Sequence, residues 1–145
     1  MIGGYFSPAA TTAERERKQI AGAIGQIERY VGPMTKTAYD LPGTFEAPLF
    51  DVQRQMDCVD EAKNTTLYLR ILREKGWINF HREGYRVNRG FFFNGWPHTS
   101  AMINNPSTGK DYVVDSWFHK NGEPVEIVPL KLWHAGWWPK TIIRD

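Results

Sequence analysis

Cysteine is nearly absent from this sequence: Cys58 stands alone, so no disulfide forms within the chain and cysteine usage says nothing about redox compartment. With one thiol and four scattered histidines (His81, His98, His119, His134), the paired ligand spacing of a structural zinc site is missing too. No apolar run approaches the roughly 18 residues of a membrane span. Charge of one sign is not in excess, because 18 basic and 16 acidic side chains are mixed along the chain, and there is no basic tract to argue for nucleic acid. Repeats and low-complexity segments are missing. The first eight residues carry neither a charged n-region nor an apolar h-region, which leaves either a cytoplasmic protein or one whose signal lies upstream.

What remains has the composition of a folded domain, 41% hydrophobic and 23% charged, and the chain is long enough to bury a core without staples. A single domain over residues 1–145 is expected. Thr11-Thr12-Ala13-Glu14 reads as a capping box, after which Ile20, Ile24, Ile27 and Val31 recur at helical spacing until Gly32-Pro33 stops the run. Residues 33–56 have no clear period and read as a connecting loop. A second helix is predicted from an Asp57 N-cap to just before Gly76, with Asp60 and Glu61 in its first turn. Cys58, Ala62, Thr65, Leu69 and Leu72 fall on one stripe of it, which sets Cys58 at the tip of a buried face.

Beyond Gly76 the pattern changes to short aromatic and β-branched runs at 77–80, 85–93, 97–103, 112–118 and 125–128, separated by Gly, Asn and Pro turns. Helices followed by strands predict an α+β fold with a largely antiparallel sheet. Pairing Ile103 with Lys110 gives an even loop of six residues and sets His98 opposite Asp115 on one face.

Three residues could do chemistry together. A thiol attacks carbonyls as thiolate, and the free N–H groups of a helix start stabilise negative sulfur at Cys58. His98, near the entry to a strand, can take the thiol proton and later protonate a leaving amine. Asp115 interrupts an apolar strand, where a carboxylate needs a partner. The other histidines are less well placed: His119 is in a turn-like segment, His134 in the Trp-rich tail and His81 at the start of a turn.

Met56-Asp57-Cys58-Val59-Asp60-Glu61-Ala62, then Trp96-Pro97-His98, then Val113-Val114-Asp115-Ser116-Trp117 resemble the Cys, His, Asp core of the bacterial transglutaminase-like cysteine proteinases of the papain and transglutaminase superfamily. The resemblance covers roughly residues 50–120 by motif and implies a papain/transglutaminase-like core. It implies a thiol hydrolase cleaving peptide or amide bonds of a protein or peptide substrate through an acyl-enzyme at Cys58. Transglutaminase-type acyl transfer and a non-catalytic binding module on the same scaffold are the alternatives. An oxyanion hole would use the Cys58 N–H with help from Gln53, Gln55 or Trp96. No cofactor is required, although Asp57 and Asp60 match acids that hold calcium in some members; helix capping accounts for the same two residues. A periplasmic or cell-envelope location is implied by the resemblance alone.

Two further features read as structural. Trp133, Trp137 and Trp138 are expected to pack a C-terminal turn over the sheet, and the basic stretch 82–89 to be a solvated strand face.

Overall fold

The computed structural model describes residues 1–35, 58–90 and 98–140. A short 3₁₀ turn, Ile2–Phe6, precedes helix α1 (Ala13–Thr35). Thr12 caps α1, its Oγ1 accepting from Arg15 N at 3.2 Å. The cap is therefore one residue later than the capping box expected at Thr11, and Glu14 lies inside the first turn. The helix also runs past Pro33, which lies within its last turn and so removes only one terminal N–H donor. Ile20, Ala23 and Ile24 form its buried stripe.

Helix α2 spans Cys58–Glu74 and buries Ala62, Thr65, Tyr68, Leu69 and Leu72, while Cys58 at its tip is half-buried. Its end is fixed by Gly76, whose φ of 72° is open to glycine. Gly76 N donates to Arg73 O at 2.8 Å and Trp77 N to Leu72 O at 3.1 Å, a Schellman closure.

The strands are β1 (Arg82–Glu83), β2 (Val87–Arg89), β3 (His98–Asn105), β4 (Lys110–Asp115) and β5 (Glu126–Pro129), followed by the one-turn helix α3 (Leu130–His134). All pairings are antiparallel; β4 lies between β3 and β5, and β1 and β2 share the other edge of β3. The fold is thus α+β, as the order of patterns predicts.

Three strand expectations need correction. Residues 77–80 are not a strand, because the N–H groups of Asn79, Phe80 and His81 are taken at 2.6, 2.9 and 3.0 Å by the buried Glu16 carboxylate. The run 85–93 is strand only at Val87–Arg89 among the described residues, and 112–118 stops at Asp115. That carboxylate accepts Trp117 N at 3.3 Å through Oδ1, turning the chain out of the ladder. The hairpin pairs Asn105 with Lys110, so Ser100 lies opposite Asp115 and His98 is two residues off. A shift by two leaves facing unchanged, so the same-face relation of His98 and Asp115 holds.

The sheet is covered on both sides. α1 and α2 pack on the face bearing Ala101, Ile103 and Val114, in one core with Phe6, Leu69 and Leu72. The opposite face carries Val113 and Val128 under Trp133 of α3. No helix of the described residues is long and apolar enough to cross a membrane.

Candidate active site

Asp115 ends β4 on the α3 side of the sheet, and its two oxygens collect three donors. Oδ1 takes Trp117 N–H at 3.3 Å, while Oδ2 takes the indole N–H of Trp133 at 2.9 Å and lies 2.8 Å from His98 Nε2. The indole and backbone N–H groups can only donate, so the carboxylate acts as acceptor and the imidazole proton lies on Nε2. In the neutral imidazole Nδ1 is then an acceptor. It is buried and has no hydrogen-bond partner among the described residues.

Aromatic rings enclose this imidazole. Trp117 lies 4.6 Å from its ring centre, Trp133 5.7 Å and Phe118 5.8 Å, and only 3% of His98 is exposed. Ser100 Oγ, on the same strand face, lies 3.3 Å from Nε2. Arg89, paired in register with His98, donates through Nη1 to the carbonyls of Trp133 and Trp137 at 2.8 and 2.9 Å. Its guanidinium lies 4.5 Å from the Trp133 ring. Burial lowers the Arg89 pKa, with the Asp115 carboxylate acting in the opposite sense. Arg89 therefore closes the end of α3 instead of standing on a solvated strand face, a correction to its reading from charge pattern.

Cys58 sits elsewhere in this frame. α2 runs in the same direction as β3: Arg73 meets Glu83, which pairs with Ile103, and Thr65 Oγ1 lies 3.4 Å from Ser116 Oγ at the other end of the sheet, where β3 begins. Seven residues before Thr65, at 1.5 Å of rise each, Cys58 lies about 10 Å further on, past that end. His98 and Asp115 are at the same end of the sheet. They project on the α3 face, whereas α2 covers the other, and no thiol–imidazole hydrogen bond is formed.

Of the remaining expected site residues, Gln53, Gln55, Asp57 and Trp96 lie outside the described residues. Asp60 is exposed and its Oδ1 accepts from Lys63 Nζ at 2.9 Å. Among the described residues no three His, Cys, Asp or Glu side chains converge to hold a metal ion. His119 bonds Glu126 at 2.8 Å, and His81 is locked between Glu16 and Arg17. Sequence reasoning missed Ser100, Arg89 and the Trp133 indole. The first was open to view, two positions along the strand from His98; the other two needed the path of α3.

No protein-family model matches the chain, and neither the curated proteins nor the solved structures contain a significant match to it.

Proposed function

We propose that the chain is a thiol hydrolase acting on peptide or amide bonds, with Cys58 as nucleophile, His98 as general base and Asp115 orienting that base. The observation that carries this reading is the state of His98. One ring nitrogen is held by a carboxylate that itself has two further donors, and the other is buried with no partner among the described residues. Buried polar atoms are normally satisfied, so an orphaned imidazole nitrogen calls for an explanation such as a proton it is poised to receive. The helix mouth bearing Cys58 extends past the end of the sheet at which His98 lies, where the thiol can approach around the sheet's end. The order of a cysteine at a helix start followed by His and Asp on adjacent strands is the order of the transglutaminase-like cysteine proteinases, and supports a papain/transglutaminase-like core.

In this mechanism Nδ1 takes the thiol proton as sulfur attacks the carbonyl carbon. The imidazolium so formed is stabilised by Asp115 and gives its proton to the leaving amine. Water then attacks the thioester, its proton passing to His98, and the acid product and thiol are released. An amine in place of water gives acyl transfer.

A second reading is favoured by the depth of His98 and by the absence of a thiol contact: His98, Asp115 and Trp133 form a structural tie beneath α3. Alkylation of Cys58 by iodoacetamide at neutral pH separates the two. The enzyme reading expects His98→Ala to slow labelling at least tenfold under conditions where circular dichroism shows the variant folded. Equal labelling rates in folded wild type and variant would sink it. Amine incorporation into a glutamine-containing peptide distinguishes acyl transfer from hydrolysis.

A further inference from the structure

A groove of about 560 Å³ lies away from the His98 cluster, between the outer side of α2 and the segment linking β1 to β2. Lys63, Leu67 and Arg70 form one wall, and Glu83, Tyr85 and Arg86 the other. Its charges are unevenly balanced. Glu83 is engaged by Arg73, with Nε–Oε2 at 2.6 Å and Nη2–Oε1 at 2.8 Å, while Arg70 only reaches the same carboxylate at 4.0 Å. Arg86 meets no acid among the described residues. Tyr85 stands 92% exposed above the groove, and Leu67 opposite is 50% exposed. Lys63 meets Asp60 at 2.9 Å on the open surface of α2. An aromatic ring and an aliphatic side chain held in water beside Arg86 and two cations in exposed, exchangeable pairs are the elements of a ligand surface.

We propose that this groove binds an acidic, extended segment of a partner polypeptide, with Arg70, Arg86 and Lys63 meeting carboxylates and Tyr85 and Leu67 receiving an apolar side chain between them. From Lys63 to Arg70 the helix rises about 10 Å, which an extended chain crosses in roughly three residue steps, leaving room for apolar residues between the acids. Nucleic acid fits less well: its phosphates are closely spaced and all negative, whereas this groove contains a carboxylate and the whole chain carries a formal charge of only +2. The groove's Lys63 end points along α2 toward Cys58. On the thiol reading, an acidic flank bound here would lead the adjoining chain toward the sulfur; the binding itself does not depend on that reading.

The test is fluorescence anisotropy of the intact protein with a labelled peptide of alternating glutamate and leucine, its glutamine counterpart, and a labelled single-stranded oligonucleotide. The glutamate peptide is expected to bind at least tenfold more tightly than the glutamine peptide. Arg70→Gln combined with Arg86→Gln should weaken it about tenfold with an unchanged melting temperature, and Tyr85→Ala should weaken it several-fold. Arg15→Gln with Arg29→Gln, which removes the same charge outside the groove, should leave it unchanged. Equal loss in that control, no difference between the two peptides, or tighter oligonucleotide binding through Arg70 and Arg86 would each overturn the proposal. Because Cys58 takes no part in these measurements, they can fail while the thiol reading stands, and the reverse.

Discussion

At the scale of single residues, the most consequential group is the Asp115 carboxylate, which satisfies three donors of different origin: a backbone N–H, an indole and an imidazole. Asp115→Ala would leave the Trp133 indole N–H buried without its acceptor and His98 Nε2 with only Ser100 Oγ at 3.3 Å. Removing one member of a buried charged network costs about 3–5 kcal/mol, and urea unfolding should read a loss of that order. Trp133→Phe keeps most of the ring and deletes one donor, so a smaller loss of about 1–2 kcal/mol is expected. On the enzyme reading Trp133→Phe also slows Cys58 labelling, because the carboxylate that orients His98 is less firmly held; a purely structural role leaves the labelling rate of the folded variant alone. His98 and Asp115 were legible as partners from strand alternation, since any even loop brings them to one face. Trp133 was not, because no local period connects a residue in a one-turn helix to a strand end.

At the scale of elements, close approach sets the tolerances. α1 packs so tightly on the segment before β5 that a Cβ at Gly25 would collide with the Glu123 carbonyl, and Val125 N donates to Ala21 O at 3.3 Å in the same contact. Backbone on both sides leaves no flexible atom to move. Gly25→Ala should therefore destabilise by about 1–3 kcal/mol despite alanine's better helix propensity, whereas Gly4→Ala, which meets nothing within 4 Å, should change little. Thermal melts of the two variants side by side check this. The helical stripes of α1 and α2 and the turn after Gly76 were readable from spacing and composition. Strand limits were not, because Glu16 and Asp115 capture N–H groups that would otherwise extend a ladder, and such capture leaves no periodic mark.

At the scale of the whole molecule, a buried hydrogen-bonded cluster joins α1 to the chain entering the sheet. Glu16 accepts from three backbone N–H groups and from His81 Nδ1 at 2.8 Å, while Arg17 Nη1 lies 3.3 Å from His81 Nε2. Arginine only donates, so Nε2 accepts and His81 is the neutral Nδ1–H tautomer. Burial raises the Glu16 pKa, but the His81 bond and the N–H groups of Asn79 and Phe80 outweigh it, and the net effect is a pKa lowered from the ordinary 4.5. A carboxylate with a lowered folded-state pKa contributes stability that is fully present above its unfolded value. That contribution fades as pH falls from about 4.5 through the folded-state pKa. Glu16→Gln should lower stability by about 2–4 kcal/mol at neutral pH and flatten the acid limb of the stability curve. Denaturant titrations from pH 7 down to about pH 3 measure both effects, and an acid limb as steep as that of the wild type would count against the assignment.

The amino-acid sequence by itself determined the helix stripes, the helix-then-sheet order and the shared face of His98 and Asp115, because each follows from a period or a parity that short-range geometry enforces. Only the tertiary structure decided which donors fill the Asp115 and Glu16 carboxylates, that Arg89 closes α3, and that Cys58 and His98 come to one end of the sheet from opposite faces. Those relations join residues far apart in the chain, where the packing of whole elements, and no local preference, sets which groups meet.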